Sequence, residues 1–301
     1  VVLREQGSNV AAQMLQNPIA GKENTFFTKW LRPYWVRPIM MNVYIMGDPS
    51  AGRSATSDRT AMAVVGLDSA GNKYLLDGYC HRMKLAERWT KLAQLHRKWK
   101  NMPGVQSLHV GYERYGMQTD MEHFEEKMRE TGQRFEIAEL NWVSDSSSQS
   151  KAKRVGRLEP DFRGASFFLP GKVYHPEARD PQTKQLVPAR WRILDPDDAD
   201  DKEIMDTTGG EEFYFQPMLS HHAEERRVLA SGEKWRIVDA LRRLDEDGNI
   251  YDVTRLFFEE FRFFPFSPHD DLIDAVSRIY DMKPMPAIRH ETFEVADYPD
   301  A

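Results

Sequence analysis

Between Asn42 and Tyr79 the chain carries three strand-like runs separated only by loops and turns, and this stretch constrains the fold more than any other. Val43, Ile45 and Met46 form a short apolar run that stops at Gly47-Asp48-Pro49, a strand followed by a turn. Residues 49–59 are small and polar and form a loop, and Thr60 to Leu67 is a second strand. Asp68 to Asn72 turns the chain into a third, Lys73 to Tyr79. Three antiparallel strands in a row are expected. Lys84 to Lys100 then places Leu85, Trp89, Leu92, Leu95 and Trp99 at helical spacing. Val105 to Tyr112 is strand-like, Met117 to Thr131 is an amphipathic helix ended near Gly132, and Phe135 to Leu140 alternates as a strand. The order β-β-β-α-β-α-β predicts an α/β fold with a mixed central sheet flanked by helices.

Residues 1–41 lack strand rhythm. Val10 to Gln16 suits a short helix broken at Asn17-Pro18, and Phe26, Phe27, Trp30, Leu31, Tyr34 and Trp35 are spaced like an apolar helical face. They are expected to pack against a neighbouring domain. Beyond the sheet, Ser144 to Ser150 is a serine-rich loop and Lys151 to Leu158 a basic helix. Residues 164–235 are irregular, with paired acids, Pro and Gly, and predict an insertion carrying β-hairpins, which in the domain division spans about 170–235. Pro196 to Asp201 is expected as a solvated acidic turn, and Trp235 to Leu241 fits helix or strand. Val253 to Phe264 is an aromatic helix under the sheet. Ser267-Pro268 opens a last helix to about Tyr280, with Leu272, Val276 and Ile279 facing inward. The expected division is a leading segment 1–41, a main domain 42–283 and a tail 284–301.

The 301 residues suffice for one large α/β domain or two small ones, and 41% hydrophobic content supports a core. A net charge of −6 does not advertise a nucleic-acid binder, yet it is compatible with an acidic metal site beside a local basic patch. The single cysteine, Cys80, allows no disulfide within the chain; it is expected to be a buried bystander in a reducing, cytosolic compartment. No run of about 18 apolar residues predicts a membrane span, and the first residues do not form a signal peptide. The start at Val1, without a methionine, suggests a piece of something longer. The sequence has no G-x-x-x-x-G-K-[ST] phosphate loop, no zinc-ligand spacing (His221 and His222 are adjacent), and no G-x-S-x-G elbow.

Carboxylates stand at three informative positions. Asp48 ends the first strand, Glu113 ends the fourth, and Asp270, Asp271 and Asp274 cluster at the start of the last helix. Acids at element ends can share a cleft, and hard oxygen ligands suit Mg²⁺. Two metals about 4 Å apart can activate water and stabilise a leaving oxygen. Each acid alone has an ordinary explanation: a turn former at Asp48, a surface group at Glu113, helix-dipole partners at Asp270 and Asp271. The combination favours a shared site. Lys151, Lys153, Arg154 and Arg157 either hold DNA phosphates or form a solvated helix face.

These segments resemble a family. GDPSAGRSATSDRTAMAVVGLDSAGNKYLLDGY (Gly47 to Tyr79) is similar to the opening of the nuclease domain of tailed-phage large terminase subunits. VGYERYG (Val110 to Gly116) resembles its second acid motif, SKAKRVGRLEPDFRGASFF (Ser150 to Phe168) its Lys-x-x-Arg helix, and FPFSPHDDLIDAVS (Phe264 to Ser277) its closing His-Asp-Asp-x-x-Asp-Ala motif. AAQMLQNPIAGKENTFF (Ala11 to Phe27) resembles the connector that follows the family's ATPase domain. The resemblance weakens over roughly 170–250. It implies a ribonuclease H-like fold, two divalent metal ions (Mg²⁺ or Mn²⁺), and cutting of concatemeric double-stranded viral DNA in the host cytoplasm. By the same resemblance Asp48 is the first metal ligand, Glu113 the second and Asp270 or Asp271 the third, with Asp274 a further candidate and Asp58 assisting from the loop. Residues 1–41 become a connector from a missing ATPase domain, and the small terminase subunit and capsid portal become partners. The same acids suit a junction resolvase or transposase, against which the connector-like start argues. An actin-like nucleotide-binding module would need a second glycine-rich loop. A non-catalytic module gripping DNA or the portal would need no acid set.

Overall fold

The computed structural model of the chain describes residues 26–50, 59–113, 118–140 and 148–288. Asp58, the expected Val10–Gln16 helix, most of the serine loop and the last part of the tail lie outside them. Seven strands form one sheet: β1 (Arg32–Tyr34), β2 (Met41–Asp48), β3 (Thr60–Leu67), β4 (Lys73–His81), β5 (Val105–Glu113), β6 (Ala138–Leu140) and β7 (Phe167–Pro170), in the order β1-β7-β4-β3-β2-β5-β6. β3 runs antiparallel to β2 and β4, as strands joined by short links must. Helices α1 (Leu85–Lys100) and α2 (Gln118–Thr131) are the crossovers that let β5 lie parallel to β2 and β6 parallel to β5. A three-strand meander whose first strand continues into parallel neighbours on its other side is the ribonuclease H-like arrangement. β6 is shorter than its alternating pattern, because only Ala138 to Leu140 find partners, at the end of β5.

Further along lie α3 (Ser148–Gly156), α4 (Glu159–Arg163), and strands β8 (Lys172–Val173), β9 (Ala189–Ile193) and β10 (Phe213–Pro217), which make a separate three-stranded antiparallel sheet. The insertion also holds two helices, α5 (Ala199–Thr207) and α6 (Ala223–Ala230), so it is not built of hairpins alone. The acidic run expected as a solvated turn opens α5. Asp198 caps that helix by accepting from the Asp200 and Asp201 amides, and Asp201 pairs with Arg192. Acids favour a helix N-terminus, so the composition that suggested a turn equally starts a helix. Hairpin β11 (Arg242–Leu244) and β12 (Ile250–Asp252) leads into α7 (Val253–Phe263), then α8 (Asp271–Ser277) and a 3-10 turn at Arg278–Met282. The last helix thus begins four residues later than Ser267-Pro268 suggests, and Asp270 becomes its N-cap. Leu272, Val276 and Ile279 are fully buried, as expected.

Residues 26–41, expected in the connector, contribute to this body. Phe26 stacks on Phe261 at 4.8 Å, Thr28–Trp30 is a 3-10 turn, and Arg32–Tyr34 is an edge strand of the main sheet. Pro33 explains the failure of the helical reading, since proline breaks a helix interior but is tolerated on an edge strand. No helix among the described residues is long and apolar enough to cross a membrane.

Two apolar layers cover the sheet. Val43, Ile45, Met62, Val64 and Tyr112 pack with Trp89, Leu92, Trp99 and Phe124 of α1 and α2. Tyr44, Met46, Ala61 and Ala63 pack with Phe257, Phe261, Leu272 and Val276 of α7 and α8. Strand alternation then settles where the strand-end acids point. Asp48 follows Tyr44 and Met46 in parity, and Glu113 is opposite in parity to Tyr112, so both face the α7/α8 layer. Gly47 and Tyr112 are register partners, and a Cβ on Gly47 would lie 2.4 Å from the Tyr112 ring. That ring is fully buried, and its hydroxyl donates to Asp120 at 2.7 Å, so it cannot step aside. Gly47→Ala should therefore lower stability by about 1–3 kcal/mol through overpacking. Thermal melting checks this; an unchanged melting temperature would show that the ring yields.

Candidate functional site

The acids expected from the sequence meet where β2 and β5 end under α8. Asp48 and Glu113 sit side by side on adjacent parallel strands, with their carboxyl groups in hydrogen-bond contact. Burial pushes Asp48 well above the usual carboxylate range; the bond to Glu113 and the charges of Asp274 and Glu113 add to this, and Arg278 opposes it. Asp48 keeps a partly exposed edge, while Glu113, Asp271 and Asp274 are buried.

Cations from α3 and the C-terminal end of α8 hold the cluster together. The Lys151 ammonium lies 2.5 Å from Asp270, 3.9 Å from Asp271 and 3.8 Å from Asp274. Burial alone would push that ammonium down, but Asp274, Asp270 and Asp271 together push it up. Arg154 grips Asp274 with two bonds, Nε to Oδ1 at 2.6 Å and Nη2 to Oδ2 at 2.5 Å. Arg278 is 1% exposed and donates to Glu113 at 2.5 Å. Arg157 turns to Asp281, at 2.8 Å, and Lys153 is exposed. On the loop side, the Arg59 amide donates to Asp271 at 3.3 Å. The strand end that carries Asp48 is tied down as well. Arg88, buried, donates to the Ser50 carbonyl at 2.6 Å and to Asp120 at 2.9 Å, and Asp120 in turn accepts from Tyr112.

Asp274 therefore links two groups of acids, Asp48 with Glu113 at the strand ends and Asp270 with Asp271 about Lys151, and Lys151 and Arg154 turn toward them. Among the described residues no three His, Cys, Asp or Glu side chains form a ready metal cage. The acids are instead paired with cations, Lys151 with Asp270, Arg154 with Asp274 and Arg278 with Glu113. The donor set itself, all carboxylate oxygen, suits a hard divalent cation.

Two participants escaped the sequence reading. Arg278 stands four residues after Asp274, on the same face of the closing helical segment, and that i,i+4 spacing was its available signal. Glu260 lies within the aromatic run of α7 and is 1% exposed. Its Oε2 accepts from the Ile273 amide at 2.8 Å. Burial pushes its carboxyl up to about 8, with the Ile273 bond opposing and Asp271 and Asp270 adding; Lys151 lowers it slightly. The sign for stability follows. An acid whose folded value exceeds its unfolded value stabilises the fold fully below the unfolded value, and that contribution is lost as pH rises toward the folded one. Wild type should lose stability relative to Glu260→Gln between pH 4.5 and about 8, at no more than about 1.4 kcal/mol per pH unit. Chemical denaturation of both proteins across that range checks this, and parallel pH profiles would contradict it.

No family model matches the sequence, and no curated protein matches it. Among solved structures the chain is similar to the large terminase nuclease domain of Thermus phage P74-26, at 12% identity and TM-score 0.36, covering 86% of this chain and 94% of that one. It is similar to the large terminase nuclease of thermophilic phage G20c, at 13% identity and TM-score 0.33, covering 55% and 88%. It is also similar to a human cytomegalovirus terminase nuclease domain, manganese-soaked and inhibitor-bound, at 14% identity and TM-score 0.31, covering 55% and 75%. These are domains of the kind the sequence resembles. The likeness is loose at these scores, and the ribonuclease H-like description stands on strand order and direction.

Proposed function

We propose that this chain is a metal-dependent endonuclease that cuts concatemeric double-stranded DNA during viral genome packaging. The observation that carries the reading is the meeting of Asp48 and Glu113, on adjacent parallel strands, with the acids of α8. Asp48, Glu113 and Asp274 would hold a divalent cation, because Asp274 is the α8 acid whose charge acts on Asp48. Asp270 and Asp271 would complete the site on its outer side, and Asp58 remains a candidate from the loop. Two Mg²⁺ or Mn²⁺ ions bound there would supply an activated water and neutralise charge on the phosphodiester. Lys151 and Arg154, once released from their carboxylates, would join exposed Lys153 of the same helix, and Arg157, in taking DNA phosphates. In this reading the chain works in the host cytoplasm alongside an ATPase domain, a small terminase subunit and the capsid portal.

The test is incubation with supercoiled plasmid. Wild type should nick and linearise it with Mn²⁺ and leave it intact with a chelator. Asp48→Asn should abolish cleavage yet melt at the same or a higher temperature, because a crowded charge is removed. Intact plasmid after long incubation of folded wild type with Mn²⁺ would falsify the reading. Lys151 gives a measurement without DNA. Lys151→Met should tighten Mn²⁺ binding by about tenfold, equivalent to about 1.4 kcal/mol of relieved competition. Calorimetric titration reads this, and equal or weaker binding would mean that the ammonium does not compete for the carboxylates.

A further inference from the structure

We propose that Glu260 is a positioning residue: it caps α8 from the neighbouring helix and thereby leaves the Asp270 carboxylate free to face the site. The proposal rests on the reading of Asp270 as part of the metal-binding acids. An Asp at the N-cap ordinarily bends its side chain back onto the amide two or three residues on. Asp270 occupies the N-cap of α8 but makes no such bond. Its carboxylate turns outward to Lys151 instead. Its backbone carbonyl still accepts the first helical bond, from the Asp274 amide at 3.0 Å. The amide that Asp270 would have capped is that of Ile273, the third residue of the helix, and it donates to Glu260 Oε2 at 2.8 Å. The two roles of an N-cap acid are split between two residues, Glu260 capping the amide and Asp270 turned to Lys151.

Glu260 is built for that task. It is buried in α7, one turn after Phe257 and next to Phe261, both fully buried in the aromatic layer. α7 is itself capped by Asp252, which accepts from the Thr254 and Arg255 amides. The acceptor is therefore held on a rigid element, not on a loop. The other oxygen, Oε1, is buried with no hydrogen-bond partner among the described residues. Burial, with Asp271 and Asp270, pushes this carboxyl up and so disfavours a further charge beside the acids. An amide side chain has the same acceptor in the same place, which makes glutamine the conservative replacement.

The full chain without metal is compared by amide hydrogen exchange over residues 271–274 in wild type, Glu260→Gln, Glu260→Leu and Asp270→Ala. Glu260→Gln should exchange like wild type. Glu260→Leu should exchange about fivefold faster at Ile273, the loss expected for a missing cap. Asp270→Ala should leave the Ile273 amide protected. In calorimetric titration with Mn²⁺ alone, Glu260→Leu and Asp270→Ala should both bind more weakly, with Glu260→Gln close to wild type. Faster exchange at Ile273 in Asp270→Ala, or wild-type exchange in Glu260→Leu, would overturn the proposal. If Glu260→Leu does not fold, exchange in Asp270→Ala decides alone. If wild type binds no Mn²⁺, the metal-site reading fails, while the exchange comparison still judges the cap.

Discussion

Like-charge repulsion among the carboxyl groups of Asp48, Glu113, Glu260, Asp270, Asp271 and Asp274 is the constraint the rest of the structure answers to. Two ionised carboxylates about 4 Å apart repel by roughly 4 kcal/mol at an effective dielectric of 20. A fold of marginal stability cannot carry several such pairs uncompensated. Three devices relieve the repulsion. Burial and the bond to Glu113 hold the Asp48 carboxyl well above the usual carboxylate range. Lys151, Arg154 and Arg278 insert positive charge between the remaining acids. Glu260 is raised toward neutrality by burial. Each device lets the fold hold the acids together, and a divalent cation would do the same more compactly.

Keeping such a cluster in place requires stiff surroundings, and these come from the other side of the sheet. The Tyr112 ring rests on Gly47, its hydroxyl is fixed by Asp120, and Arg88 joins Asp120 to the Ser50 carbonyl just beyond Asp48. Repulsion on one face is thus resisted by a buried hydrogen-bonded chain on the other. Buried networks of this kind are costly when broken, since each severed partner leaves an unsatisfied group in a low-dielectric interior. The tether and the acids occupy opposite faces of the same strand ends, so a change in the tether would be felt at Asp48 without touching any carboxylate.

Much of this was legible in the sequence because it obeys local rules. The meander from Met41 to His81, the two crossover helices and the inward face of α8 follow from periodicity and turn composition. The acid positions Asp48 and Glu113 were visible because strand ends are visible. What escaped depends on tertiary contacts. The run from Phe26 to Trp35 has helical spacing, yet Pro33 and an available sheet edge made Arg32–Tyr34 a strand. The insertion's helices α5 and α6 begin in acidic and histidine-containing segments whose capping role shows only once the helix exists. Glu260 was hidden by its neighbours, since an acid in FFEEFRFF reads as a surface break in an aromatic run. Its function depends on a helix that starts eight residues after α7 ends.

The basic helix was the least decidable feature in the sequence, because DNA contact and a solvated face predict the same composition. The structure adds a third arrangement: Lys151 and Arg154 face inward and neutralise the acids. The proposed function gives this arrangement a consequence. A chain with net charge −6 that also displays bare carboxylates would repel a polyanion. With α3 bound to the acids, the cluster is muted but the cations are spent. Divalent ions taking their place would free Lys151 and Arg154 for phosphates, beside the same acids that hold the metal. Metal and DNA would then strengthen each other's binding by equal factors, as thermodynamic linkage requires. Such coupling would need no moving domain. It follows from one set of carboxylates having two kinds of counter-ion, of which only one can occupy the site at a time.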